Sequence, residues 1–240
     1  MKIALIGYGK MGKAIEEIAL QNDHEIILKI NRGNLADFTP ENISKADVCI
    51  EFSNPEAAFH NISKCLEAGV PTISGSTGWL QKLHDAKSLC QQRNNAFLYA
   101  SNFSIGVNLF FQINEVVAQI FSSHPEYQVR MEETHHTAKK DAPSGTAVTL
   151  AEGILKHYPS KLKWINEATT NDTELEIISK RIDPAPGTHR IFYDSEIDSI
   201  EIMHTAHNRK GFASGALLAA TFIQDKKGIF EMKDVLHALF

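Results

Sequence analysis

The sequence predicts an α/β protein: a doubly wound parallel sheet at the N-terminus, followed by a second domain of α+β character. Three observations point there. Over the first hundred residues short apolar runs alternate with amphipathic helical stretches, the rhythm of right-handed strand–helix–strand crossovers. A Gly-x-Gly-x-x-Gly turn, from Gly7 to Gly12, closes the first run and opens the first helix. Beyond about Ser104 the pattern changes to long helices and alternating segments, which suggests an antiparallel or mixed sheet.

Residues 2–6 form a short apolar run ending in glycine, as a strand buried on both faces does. Residues 11–20 place Met11, Ala14, Ile15 and Ile18 on one helical face. Residues 25–30 and 47–52 read as the second and third strands. Pro55 opens the next helix, because its fixed φ suits a first turn, and Gly69 closes it as a C-terminal cap. Residues 71–74 are a fourth strand, 80–93 a helix and 96–100 a fifth strand. A long apolar helix follows over 107–121, then an alternating strand over 127–134 and a helix over 144–157. Residues 174–181, 189–194 and 197–204 alternate and are separated by turns. Residues 211–223 read as an alanine-rich helix and 228–239 as a short last helix.

Composition narrows the function. A hydrophobic fraction of 43% and a charged fraction of 22% are ordinary for a globular chain. The net charge of −5, with scattered basic residues, argues against a nucleic-acid partner. No apolar run approaches the roughly 20 residues needed to cross a bilayer. The opening residues are interrupted by glycine too soon for a signal peptide. A cytoplasmic protein without a membrane partner is expected. Cys49, Cys65 and Cys90 match no metal or redox spacing and read as core filler in a reducing compartment.

The turn Gly7-Tyr8-Gly9-Lys10-Met11-Gly12 fits a dinucleotide site, which makes the N-terminal sheet Rossmann-type. Its glycines permit a tight turn, close approach of a pyrophosphate and close helix–strand packing, and the helix N-terminus favours phosphate. A purely structural glycine turn is the alternative. An acid at the end of the second strand would favour NAD by bonding the ribose 2′-hydroxyl. The chain has Asn31-Arg32 there instead. Arg32 can pair with a 2′-phosphate, so NADPH, or both NADPH and NADH, is expected; a solvated loop residue is the alternative. Gly75-Ser76-Thr77 and Ala100-Ser101-Asn102-Phe103 follow the fourth and fifth strands, where ligands of such sheets bind, although ordinary loops have similar composition.

Residues 132–147 are the most informative stretch. His135 and His136 are followed by Lys139 and Lys140, then by Asp141-Ala-Pro-Ser-Gly-Thr146. Neighbouring residues on an extended strand face opposite ways, so the two histidines have different jobs. Adjacent histidines chelate one metal poorly and no cysteine or carboxylate spacing accompanies them, so no metal is expected; a pair of structural histidines remains open. Ser144 suits a helix cap, which offers the amides of Gly145 and Thr146 to a carboxylate. A titratable group, positive charge and a helix N-terminus together suit a small anionic substrate that needs a proton.

These motifs closely resemble the 4-hydroxy-tetrahydrodipicolinate (dihydrodipicolinate) reductases of the diaminopimelate route to lysine. The resemblance is carried by Glu133-Thr-His-His-Thr-Ala-Lys139 with Asp141-Ala-Pro-Ser-Gly-Thr-Ala147. It extends through Gly7–Gly12, Glu51-Phe-Ser53, Gly75-Ser-Thr-Gly78, Asn102-Phe-Ser-Ile-Gly-Val107, Arg209-Lys-Gly-Phe-Ala-Ser-Gly-Ala216 and Gly228-Ile-Phe-Glu-Met-Lys-Asp-Val235. It implies His135 and Lys139 as the acid–base residues, and His136, Gly145 and Thr146 as ligands of the substrate's carboxylates, assisted by Arg209. It also implies a nucleotide domain of residues 1–104 plus 215–240, a substrate and oligomerisation domain of residues 105–214, and a homotetramer. The chain departs from the family pattern at Asn31, where an acid is expected, and at Ser76 and Trp79, where threonine and phenylalanine are common. Another two-domain dehydrogenase, of the aspartate or homoserine type, or a non-catalytic nucleotide sensor would share the glycine turn, but would not need His135, His136 and Lys139.

Overall fold

A computed structural model describes residues 1–208 and 210–239. The chain forms two compact units, one of Met1–Ile105 with the segment that follows Asn208, the other of Gly106–Asn208.

The first unit is built on β1 (Lys2–Ile6), β2 (Glu25–Ile30), β3 (Val48–Glu51), β4 (Thr72–Ser74) and β5 (Ala96–Tyr99). Between them run α1 (Lys10–Gln21), the short α2 (Pro40–Ile43), α3 (Pro55–Glu67) and α4 (Leu83–Gln92). Pro55 occupies the first turn of α3 behind an Asn54 cap, and Gly69 just past its end takes a positive φ of 81°. With β11 (Gly228–Phe230) the sheet has six strands, all parallel, in the order β11-β5-β4-β3-β1-β2. Its strands are apolar on both faces because helices cover both. Ile3 and Leu5 pack with Ile15 of α1 and with the alanine-rich α7 (Lys210–Ile223), whereas Ala4 and Ile6 join Ile30, Ile43 and Cys65. Cys49, Cys65 and Cys90 are all buried and unbridged.

Residues 228–239 depart from the expected single helix. Gly228–Phe230 forms β11, paired in parallel with Ala96–Leu98, and α8 covers only Met232–His237. Gly228-Ile-Phe is too short to show a period, and an open sheet edge satisfies its backbone better than one helical turn would. Glu231 and Asp234 then form a capping box that starts α8.

The second unit comprises α5 (Ile105–Phe121), β6 (Gln128–His135), α6 (Gly145–Leu155), β7 (Lys163–Ile165), β8 (Glu174–Arg181), β9 (Thr188–Asp194) and β10 (Ser199–Thr205). α7 (Lys210–Ile223) then belongs to the first unit. The five-stranded sheet is mixed, in the order β10-β9-β6-β8-β7, with β6 antiparallel to β9 and parallel to β8. One face is a core: Val129, Met131, Ile177, Ile191 and Tyr193 pack under Ala147, Leu150 and Ile154 of α6. The other face carries charge, with Arg130 paired to Asp194 at 3.0 Å and Lys180 to Glu132 at 2.8 Å.

Candidate active site

Each unit concentrates part of the set singled out from sequence. In the first, Gly7 has φ +100°, and a Cβ on it would fall 2.1 Å from the Phe52 carbonyl oxygen at the exit of β3. A Cβ on Gly12 would come 2.7 Å from the Gly7 oxygen. These two glycines close the turn on itself and on the neighbouring strand. Gly9 differs: it is exposed, caps α1 with no side-chain bond, and has no atom within 4 Å of where a Cβ would sit. The helix N-terminus is therefore open to a phosphate. The turn also lies where β2 and β3 leave on opposite sides of β1, the topological switch point of such a sheet. These features fit a dinucleotide.

Around the turn, Tyr8 points aside: its hydroxyl donates to Glu16, and the Lys29 ammonium lies 5.2 Å from its ring centre. Lys10 is exposed and Met11 packs against the core. Past β2, the Asn31 side chain accepts the Gly33 amide at 2.7 Å and so closes its own loop, while Arg32 is exposed. The other strand exits meet at Phe52. Gly75 leaves the space its ring occupies, since a Cβ there would overlap the ring at 2.1 Å, and the Phe103 ring lies 5.6 Å away. Thr77 and Ser101 are exposed and Ala100 is half-buried. The Ser76 and Asn102 side chains serve the loops: the Ser76 hydroxyl donates to Glu51 at 2.9 Å, and Asn102 accepts the Ser104 amide at 2.9 Å.

In the second unit the core face of β6 turns polar at its end. Val129 and Met131 are followed by Glu133 and His135, all buried. His136 is half-buried just beyond the strand. Glu133 accepts the Ser144 amide at 3.1 Å, the Ser179 hydroxyl at 2.8 Å and the Arg181 guanidinium at 3.2 Å. Nδ1 of His135 lies 3.4 Å from its Oε2, and Nε2 of His189 lies 3.7 Å away. The ligand atoms of Glu133, His135 and His189 lie within 4.8 Å of one another, a spacing one ion could bridge. That carboxylate is, however, already engaged by the three donors.

Ser144 caps α6 as expected, accepting the Ala147 amide at 3.2 Å. Gly145, in the first turn, is exposed and Thr146 is buried. The Lys139 ammonium pairs with Asp141 at 2.8 Å; Lys140 is exposed. Arg209 lies outside the described residues.

Burial lowers the proton affinity of His135; Glu133 opposes this, Lys139 and Arg181 add to it, and Asp141 opposes. Burial also drives His189 down to about 3, so it is neutral. For Glu133 burial works upward, but bonds from Ser144 and Ser179 and the charge of His135 hold it below the usual carboxylate range.

Sequence reasoning gave no role to Glu133, Ser179, Arg181 or His189. Glu133 had a signal, since it stands two residues before His135 and so on the same face of a strand. The other three reach the site by cross-strand register, which no local pattern reveals: Ser179 and His189 face Glu133, and Arg181 faces His135.

Comparison with known proteins settles the family. Residues 1–103 match the family model described as "Dihydrodipicolinate reductase, N-terminus", and residues 106–236 the one described as "Dihydrodipicolinate reductase, C-terminus". The chain belongs to the dihydrodipicolinate reductase family. A 4-hydroxy-tetrahydrodipicolinate reductase of Christiangramia forsetii is 48% identical over 244 residues, covering 100% of this chain and 99% of its own. One from Alkaliphilus oremlandii is 32% identical over 237 residues, covering 96% of each. Among solved structures, a dipicolinate-bound dihydrodipicolinate reductase from Paenisporosarcina has a TM-score of 0.77 at 24% identity, covering 96% of this chain and 97% of that one. This last likeness bears on the fold of both units. Membership of the dihydrodipicolinate reductases displaces the readings as another dehydrogenase or a nucleotide sensor.

Proposed function

We infer that this protein is an NAD(P)H-dependent oxidoreductase that reduces 4-hydroxy-tetrahydrodipicolinate to tetrahydrodipicolinate with loss of water, in lysine biosynthesis through diaminopimelate. The observation that carries this reading is the polar end of β6, where a buried histidine, a lysine and the start of α6 gather in a family member that also has an open glycine turn.

The first unit is the dinucleotide-binding domain, with Gly7, Tyr8, Gly9, Lys10, Met11 and Gly12 at the phosphates and Arg32 beyond them. Gly75, Ser76, Thr77 and Ala100, Ser101, Asn102, Phe103 complete the cofactor site at the strand exits. Bound there, reduced nicotinamide supplies a hydride. Arg32, with no acid beside it at positions 31–34, favours NADPH.

The second unit holds the substrate. Its carboxylates are met by His136, by Gly145 and Thr146 at the start of α6, and by Arg209. The substrate takes up a hydride and a proton and releases water. His135 and Lys139 are the groups that hold and move protons. A histidine whose unperturbed value is about 6.5 can do this near neutral pH. In the empty site burial, with Lys139 and Arg181 adding to it against Glu133, lowers the proton affinity of His135. An arriving dicarboxylate brings the opposite charge and recruits the catalytic proton.

A homotetramer assembled through the second unit is supported by its exposed apolar groups. Leu109, Ile113, Val116 and Ile120 form a stripe along α5, and Ile200 and Met203 are exposed on the edge strand β10. Among the described residues no helix is long and apolar enough to cross a membrane. We place the protein in the cytoplasm, without a nucleic-acid or membrane partner. The test is absorbance at the nicotinamide band with freshly made product of the preceding synthase. Oxidation of NADPH, and more slowly of NADH, is expected; no substrate-dependent oxidation of either would overturn the reading.

A further inference from the structure

The strand that ends in His135 carries a second ionisable group two residues earlier, so Glu133 and His135 leave β6 on the same face. The Glu133 carboxylate is wholly enclosed. Oε1 accepts from Ser179, on β8, and from Arg181. Both oxygens accept from the Ser144 amide at the start of the eleven-residue α6. A negative charge is favoured at that helix end. Oε2 lies 3.4 Å from Nδ1 of the His135 ring, within ion-pair reach, and that nitrogen has no hydrogen-bonding partner among the described residues. The opposite nitrogen, Nε2, lies beside Gly187, where a Cβ would stand 3.1 Å from it. The ring thus has a carboxylate side and a side kept clear by a glycine.

We propose that Glu133 is a positioning residue: its ionised carboxylate draws the Nδ1 proton of His135, fixes the ring and its tautomer, and so presents Nε2, beside Gly187, as the nitrogen that exchanges a proton with the substrate. This rests on reading His135 as the proton-carrying group. It follows the general logic by which a buried carboxylate orients an imidazole and stabilises its charged form.

His189 is the obvious competitor for Oε2, and its surroundings remove it. Its Nε2 lies 3.2 Å from the Ser144 hydroxyl. The same nitrogen stays 3.7 Å from Oε2, beyond hydrogen-bond reach. Burial keeps that ring neutral, so its approach to Glu133 is not an ion pair. The charged groups acting on His135 are therefore Glu133 on its own strand, Lys139 and Asp141 on the following loop, and Arg181 on β8. Of the two carboxylates, Glu133 has the larger effect.

The test titrates His135 by NMR in the full-length, histidine-labelled protein, with its resonance assigned through His135→Asn. In wild type the neutral ring should be the Nδ1–H tautomer. In Glu133→Gln the titration should move about one unit lower, because a neutral amide no longer favours the charged ring. The basic limb of kcat should move down with it, while nucleotide affinity stays unchanged. Glu133→Asp restores the charge and should return the titration towards wild type. Ser179→Ala keeps the carboxylate but removes one donor, so the carboxylate pulls harder and the titration should rise by a few tenths of a unit. This second variant serves if Glu133→Gln does not fold. An unchanged titration and tautomer in folded Glu133→Gln, or no movement in Ser179→Ala, overturns the proposal. A shifted titration with an unshifted kcat profile supports the hold of Glu133 on the ring and overturns the reading of His135 instead.

Discussion

Gly7 and Gly9 sit two residues apart in one turn, yet alanine at each should fail for different reasons. At Gly7 the φ of +100° disfavours any L side chain, and strain of that kind costs about 1–3 kcal/mol. The new Cβ would also stand 2.1 Å from a backbone oxygen of Phe52, more than an ångström inside ordinary contact, and backbone cannot swing away as a side-chain tip can. A total of about 3 kcal/mol or more is expected, a fall of roughly 6–12 °C in Tm. At Gly9 the φ is −94° and the space is empty. There alanine trades a small loss at the cap against a gain from the unfolded chain, and stability should stay within about 1 kcal/mol of wild type. The methyl group would instead project where a pyrophosphate must approach the helix. NADPH should then bind at least about tenfold more weakly, a loss of roughly 1.4 kcal/mol or more. Thermal melts and fluorescence titration with NADPH separate the two effects. Wild-type affinity in folded Gly9→Ala, or wild-type melting in Gly7→Ala, would refute the reasoning.

Three further outcomes are expected. Lys139→Ala should lower kcat and raise KM for the substrate together, since the role proposed for the ammonium joins charge and proton; steady-state kinetics would show a change in only one if it has a single role. Arg32→Ala should weaken NADPH more than NADH in binding titrations, and equal losses would count against a 2′-phosphate role. Acid should destabilise the fold through His189. Its proton affinity is depressed to about 3 in the folded chain, so its contribution is complete above the unfolded value and is lost as pH falls. At about 1.4 kcal/mol per pH unit, acidification from about pH 6.5 to 5 should cost roughly 2 kcal/mol, and urea melts of His189→Gln should show a flatter slope.

The first unit was largely legible because its signals are local. Buried parallel strands announce themselves as apolar runs, and Gly7, Pro55 and Gly69 each mark a boundary by backbone chemistry alone. What escaped was Gly228–Phe230, a strand defined only by the edge of β5 that receives it. In the second unit the alternation of β6 and the Ser144 cap could be read, and with them the exit of His135 from the core face. The partners of His135 could not, apart from Glu133. Arg181 and His189 lie 46 and 54 residues further along the chain, and only the register of β6 against β8 and β9 brings them to it. The depressed proton affinity of His135 has a cause that the neighbouring lysines in the sequence do not reveal. Burial is the larger cause, and Lys139 adds to it.

The most direct test of His135 as the proton-carrying group is the turnover of His135→Ala on the freshly made synthase product. NADPH oxidation and NADPH affinity should be followed side by side. A fall in kcat of about 10²–10⁴, the usual contribution of a general acid, is expected with nucleotide binding intact. Turnover within a few-fold of wild type would contradict it.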